Sequence, residues 1–410
     1  MFQCCPLIDD FLRSEIDVGS FPSAVYAVGD SRRIIAEGAV GNCVVVPVRI
    51  PVTLETVYDC ASLTKPLVTT TLILQSIKNI DDKYYGFTYR ELLTHTSGLR
   101  AWLPLYAYTA KYIDTILKEG PDYERGTKVV YSDLNFILLW YALTDYVARA
   151  KPLLPSDAMF NPRPSLRSRI AATEWGQRYE AKMANIKAPR DRLIWGETHD
   201  GNSFFAGGTA GNAGLFATAR AIFRMAQAWV NAEILPREIV DEAIRNHTPK
   251  LDDARGFGWQ LPTGSEATKM LSQRAYGHTG FTGTSLWIDP DRDRIMVLLT
   301  NRVHPCAALG QQHHDAIAIG IVIAEARLEQ LDVVAKHTQR FVALSSAKQD
   351  VREAEGLEFL NLRIEIDLLF HQTLRLIEIA LEMRERKSDA LTRGGIIGSP
   401  IRFDGLLEPA

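Results

Sequence analysis

Serine attacks a carbonyl only when a neighbouring base takes its proton, and the run Ser62-Leu63-Thr64-Lys65 supplies such a neighbour. Apolar residues at Leu63, Leu67, Val68, Leu72 and Leu74 predict a buried helix beginning at Ser62. Residues three apart on a helix share a face, so the Lys65 amine can reach the Ser62 hydroxyl. Burial and nearby donors would keep such a lysine neutral enough to serve as a base. The helix N-terminus adds partial positive charge where an oxyanion would form. Pro66 falls in the first turn, where backbone N–H groups lack an intrahelical partner in any case. Chance alone yields about one SxxK in a chain of this size. A second one, Ser345-Ser346-Ala347-Lys348, has no companions and reads as a solvated surface turn.

Ser62 does have companions. Tyr131-Ser132-Asp133 precedes an apolar helix (Leu134–Tyr141), and His278-Thr279-Gly280 opens a predicted strand. These three elements, in this order, resemble the serine hydrolases related to class C β-lactamases, a group with D,D-peptidase, D-aminopeptidase and carboxylesterase members. Four further stretches match: Asp59–Pro66 (DCASLTKP), Leu92–Leu99 (LLTHTSGL), Gly207–Phe216 (GGTAGNAGLF) and Leu299–Pro305 (LTNRVHP). The resemblance covers roughly residues 8–330.

It implies Ser62 as the acylated nucleophile, Lys65 as its proton partner and Tyr131 as the phenolate-type base that also protonates the leaving group. The backbone N–H groups of Ser62 and Phe281 would form the oxyanion hole. His278 would stand where β-lactamases of this group carry the lysine of a Lys-Thr-Gly strand, as in the peptidase and esterase members. Asp133, Thr279 and Gly280 would contact substrate. Gly280, without a side chain, lets its strand come close to the serine and pair with an extended substrate. One departure is chemical: Asp133 stands where the group has asparagine, so an acceptor-only carboxylate replaces an amide. It would either cap the helix at Leu134 or hold Lys65 charged, which would weaken that lysine as a base. Two connections, Gln75 to Tyr89 and Leu139 to Phe160, are short for the group.

Around these residues the chain must build a frame. A hairpin is predicted from Ala24–Val28 and Arg33–Glu37 about a Gly29-Asp30-Ser31 turn. A second strand pair is predicted from Phe281–Ile288 and Arg294–Leu299, joined by the turn-rich Asp289–Asp293. Residues 88–150 read as mainly helical, Lys151–Pro164 as a connector, and Ala219–Trp229 as a helix fed by the Gly-rich Gly201–Gly214. Strands at both ends with helices between them predict an α+β fold. One antiparallel sheet is flanked by helices, with a mostly helical subdomain over about 75–210. Residues 1–330 would be the catalytic region and 331–410 a helical extension, with a helix over Val351–Lys387 that could mediate self-association.

Several residues invite chemistry and take a plainer reading. His95, in a Thr-His-Thr-Ser-Gly turn, satisfies backbone groups. The Gly-rich stretch fits neither a P-loop nor GxGxxG and reads as a tight turn. Adjacent residues on a helix point apart, so His313-His314-Asp315 could not converge on a metal. The catalytic reading requires no metal or organic cofactor.

Composition narrows the partners. With 410 residues, 46% hydrophobic and 23% charged, the chain can bury a full enzyme-sized core. A net charge of -3 gives no broad attraction to nucleic acid or an anionic membrane. The longest apolar run, Ala316–Ala324, is far short of a spanning helix. Five cysteines without a CxxC pair, and an N-terminus without a basic and then apolar leader, predict a cytoplasmic protein. The leading expectation is therefore a carboxylesterase-like hydrolase of small esters. The alternatives are a D,D-peptidase, D-aminopeptidase or β-lactamase-type amide hydrolase, or a weakly active member that acts in binding or assembly.

Overall fold

The computed structural model describes residues 6–263 and 271–306. All belong to one compact unit, Met1–Val322. The Val351–Lys387 helix, the Ser345–Lys348 turn, the His313–Asp315 cluster and Cys4 and Cys5 lie outside the described residues. In chain order the strands are β1 (Ser23–Gly29), β2 (Ile34–Val44), β3 (Ile50–Pro51), β4 (Tyr58–Asp59), β5 (Lys83–Tyr84), β6 (Phe87–Thr88), β7 (Ala158–Met159), β8 (Phe216–Ala217), β9 (Tyr276–Gly280), β10 (Thr284–Asp289) and β11 (Arg294–Thr300).

The predicted hairpin forms β1 and β2, closed where Asp30 Oδ1 accepts the Arg32 and Arg33 N–H groups, both at 2.8 Å. The later strands then pair with it, giving a six-stranded sheet in the order β3-β2-β1-β11-β10-β9. Ala24 faces Thr300 and Val28 faces Met296, so the two ends of the catalytic region share one antiparallel sheet. Every residue of β1 and β11 is buried, as central strands covered on both faces must be. The helix Ala219–Val230 covers one face, capped by Thr218 and anchored through Trp229, whose indole N–H donates to Thr71 Oγ1 at 3.1 Å. The expected architecture, an antiparallel sheet with helices, is therefore present.

The structure corrects five local expectations. β10 begins at Thr284, not Phe281; residues 281–283 turn, closed by Gly283 N–H to Gly280 O at 2.9 Å with Gly283 at φ +106°. His278-Thr279-Gly280 consequently ends a strand and does not open one. The helix from Ser62 is not continuous: a 3₁₀ turn (Ala61–Leu63) leads into a π-helical stretch (Lys65–Thr70) and then an α-helix (Thr71–Ser76). Pro66 has no N–H to contribute to a regular first turn there. The Gly-rich stretch holds a short helix, Gly201–Phe205, because the Asp200 carboxylate caps it through Ser203 N–H at 2.7 Å. Residues 88–150 are four short α-helices (Tyr89–Leu93, Tyr112–Glu119, Asp133–Tyr141, Tyr146–Ala150) and one 3₁₀ turn (Leu105–Ala107), separated by loops.

Candidate active site

The serine turn is held from below. Asp59, at the end of β4, is buried; one carboxylate oxygen accepts Ala61 N–H at 2.9 Å and the other His199 N–H at 2.7 Å. Ala61 is thereby kept at φ +45°, a conformation that costs a non-glycine residue about 1–2 kcal/mol. Thr64 closes the turn from the other side, its hydroxyl donating to Ala61 O at 2.7 Å and accepting Leu215 N–H at 3.1 Å. Ser62 is left half-buried with its side chain toward Lys65.

Lys65 is fully buried. Its Nζ lies 2.9 Å from Ser62 Oγ, 3.0 Å from Asn212 O and 2.7 Å from Asp133 Oδ1. Two of these are hydrogen bonds donated by the ammonium, and the third is an ion pair. Burial alone would push the amine down, but the Asp133 carboxylate and then Tyr131 outweigh it and hold Lys65 above the ordinary lysine value. Asp133 opens the helix Asp133–Tyr141, yet its side chain does not cap it. Asp133 instead pairs with Lys65.

Tyr131 comes from the loop before that helix, and the Thr94–Leu99 turn fixes it. His95 Nδ1 accepts Ser132 N–H at 3.1 Å, and His95 O accepts Val130 N–H at 3.0 Å. Asn135 and Ser97 complete the brace, the Ser97 hydroxyl donating to Asn135 Oδ1 at 2.6 Å. His95 thus serves the backbone, as expected of it, and its ring packs 4.8 Å from the Tyr131 ring. The Lys65 Nζ stands 4.9 Å from the Tyr131 ring centre. Burial raises the Tyr131 phenol, against which the Lys65 charge works.

The third wall is the end of β9. His278 sits 5.7 Å, centre to centre, from the Tyr131 ring, with Nδ1 2.7 Å from Thr279 O. Thr282 and Thr284 tie this strand end to the serine turn through Asp59 O (2.7 Å) and Cys60 O (3.0 Å). A Cβ on Gly280 would stand 2.1 Å from Thr284 Oγ1 and 2.6 Å from Cys60 O. Gly280→Ala is therefore expected to push the strand off the serine turn, lowering kcat/KM for ester hydrolysis about tenfold or more at a stability cost of about 1–3 kcal/mol. An alanine variant with unchanged kinetics would show that the close approach is dispensable. Phe281 follows in the turn, its ring packed by Tyr179 (4.8 Å), His199 (5.4 Å) and the Arg302 guanidinium (5.1 Å).

The structure therefore brings Ser62, Lys65, Tyr131, Asp133, His278, Thr279, Gly280 and Phe281 to one junction between sheet and helices. Sequence reasoning assigned no role to several supports. Asp59 sits inside a recognised stretch, but its two backbone contacts are visible only in space. His199 pairs with buried Glu174 at 3.1 Å under Phe281. Arg255, held by Asp253 at 2.6 Å, lies 5.7 Å from the Tyr131 ring. No short-range pattern marks it. Among the described residues no group of acids, histidines or cysteines is arranged to hold a metal ion, and no helix is long and apolar enough to cross a membrane.

An SxxK serine in a 3₁₀ turn, faced by a tyrosine loop and by a His-Thr-Gly strand end of an antiparallel sheet, is the arrangement of a β-lactamase-like serine hydrolase fold. The chain belongs to the Beta-lactamase family, whose model matches residues 8–318. A protein of Escherichia coli (strain K12), named as a candidate D-alanyl-D-alanine carboxypeptidase, is 28% identical over 375 residues, covering 76% of this chain and 86% of that one. Among solved structures, EstCE1, described as a hydrolase with promiscuous acyltransferase activity, superposes with a TM-score of 0.58 at 18% identity, over 77% of this chain and 98% of its own. The octameric penicillin-binding protein homologue from Pyrococcus abyssi gives a TM-score of 0.57 at 16% identity, over 79% and 77% of the two chains. These likenesses agree with the resemblance drawn from the sequence motifs.

Proposed function

We propose that this chain hydrolyses small carboxylic esters through an acyl-enzyme on Ser62. The observation that carries the reading is the Ser62–Lys65–Asp133 array, with Lys65 Nζ 2.9 Å from the serine oxygen. Ser62 Oγ receives a hydrogen bond from Lys65 and keeps its own proton for another group. In this reading Tyr131, in its phenolate form, takes that proton. The serine oxygen bonds to the carbonyl carbon, and the oxyanion is met by the N–H groups of Ser62 and Phe281. Tyr131 returns the proton to the leaving alcohol, and water then releases the acid and restores the serine.

Amide hydrolysis by the same groups is the second reading, favoured by the carboxypeptidase name of the 28%-identical relative. A third, a poorly active member that binds or assembles, draws on the Asp133–Lys65 pair, which opposes a neutral lysine. One experiment separates the first two from the third. The protein is incubated with a fluorophosphonate and its mass measured, with the adduct located by peptide mapping. A single adduct on the Ser62 peptide, together with turnover of p-nitrophenyl acetate, is expected. A folded sample without adduct between about pH 6 and 10 overturns the catalytic reading.

A further inference from the structure

Phe281 supplies the second oxyanion N–H of the proposed mechanism from residues 281–283, the turn between β9 and β10. No backbone carbonyl among the described residues accepts that N–H. An amide in a turn points wherever the chain around it is held, and here the Phe281 ring is the handle. His199 stacks on the ring with centres 5.4 Å and planes 23° apart, and Tyr179 packs against it at 4.8 Å. Both neighbours are tied to one carboxylate. Glu174 Oε2 lies 3.1 Å from His199 Nε2, and Glu174 Oε1 accepts Tyr179 N–H at 3.0 Å. An ionised carboxylate only accepts, so Nε2 carries the imidazole proton.

His199 is fixed at its backbone as well. Buried Arg190 donates to His199 O and, at 2.7 Å, to Thr198 O. The His199 N–H donates to one oxygen of Asp59, whose other oxygen accepts Ala61 N–H in the serine turn. One residue thus links the two halves of the oxyanion hole, the serine turn through Asp59 and the Phe281 turn through its ring. Glu174 and His199 are both buried, and burying a carboxylate costs free energy that an apolar side chain would not incur. What the carboxylate supplies is two acceptor oxygens at a fixed spacing, one for each aromatic neighbour of Phe281.

We propose that Glu174 and His199 are positioning residues for the oxyanion hole. Neither touches substrate; together they hold the Phe281 ring and so aim the Phe281 N–H at the oxygen on which charge develops. The inference rests on the acyl-enzyme reading of Ser62 and adds the groups that set its second N–H donor.

Two variants of the full chain test this. Glu174→Gln keeps the shape but offers one acceptor oxygen where two donors point, so one contact is lost. His199→Ala removes the ring beneath Phe281. Each is assayed on p-nitrophenyl acetate and on its thiono analogue, in which sulfur, a weak acceptor, replaces the carbonyl oxygen. Misplacing one N–H donor should lower kcat/KM on the oxygen ester by about tenfold or more, and on the thiono ester by less than about threefold. A loss of folded protein lowers both substrates alike, so an unchanged oxygen-to-sulfur ratio overturns the proposal. Hydrogen exchange followed by mass spectrometry gives a second readout that needs no turnover. Exchange in a peptide spanning residues 278–284 should quicken about tenfold or more in either variant, with β1 and β11 peptides unchanged. If wild type cleaves no ester, the reading of Ser62 fails and the exchange result alone decides the positioning role. Quickening confined to 278–284 supports it, whereas equal protection in all three proteins, or quickening spread across the sheet in both variants, counts against it.

Discussion

Ser62→Ala is expected to reduce hydrolysis of p-nitrophenyl acetate by about 10³-fold or more and to abolish the fluorophosphonate adduct. The serine oxygen is the only atom of the array that can carry the acyl group, so its loss removes the two-step route entirely. What remains is background from the oxyanion donors and from binding. The fold should tolerate the change. Ser62 is half-buried, and Lys65 keeps Asp133 and Asn212 O as acceptors at 2.7 and 3.0 Å. Equal melting temperatures for the two proteins would assign the lost activity to chemistry. Residual hydrolysis above about a tenth of wild type would place the nucleophile elsewhere.

The second large effect is expected from Asp133→Asn, read as a pH profile. In wild type the acylation rate should rise toward alkaline pH, because both partners hold their protons at neutrality. Burial opposes a charged Lys65, but Asp133 more than offsets it; burial raises Tyr131, with the Asp133 charge adding to the rise. An asparagine removes the carboxylate from both. Without it Lys65 loses its main charge partner, so its pKa falls; Tyr131 loses a repelling negative charge, so its pKa falls too. Whichever of the two takes the serine proton, the alkaline limb should move to lower pH by about one unit or more, with acylation near pH 7 rising about tenfold. Presteady-state release of p-nitrophenol between pH 6 and 10 measures this directly. A profile that stays in place would show that Asp133 does not govern the proton on the Lys65–Tyr131 pair. A slower reaction at every pH would mean that the carboxylate has a constructive part in catalysis.

Much of the site was legible in the chain because its chemistry is carried by short runs. Ser62 and Lys65 are three residues apart, and one helical turn suffices to bring them together, even though that turn proved to be 3₁₀ and π in place of α. Tyr131-Ser132-Asp133 and His278-Thr279-Gly280 stood out in the same way, as did the strands bounded by clear turns, β1, β2 and β11. The turn at 281–283 was read as strand, since Phe281-Thr282 has strand composition and only the Gly283 backbone, at φ +106°, ends the pairing.

Tertiary structure alone decided the electrostatics. Whether Asp133 caps a helix or charges a lysine depends on a contact across 68 residues of chain, which no local pattern encodes. The brace under the serine joins Asp59 to His199, and Arg302 reaches the Phe281 turn only because β11 runs back beside β10. Residue types and short spacings determined which groups could react. The packing of the helix Asp133–Tyr141 against the stretch Lys65–Thr70 determined the charge state in which they wait.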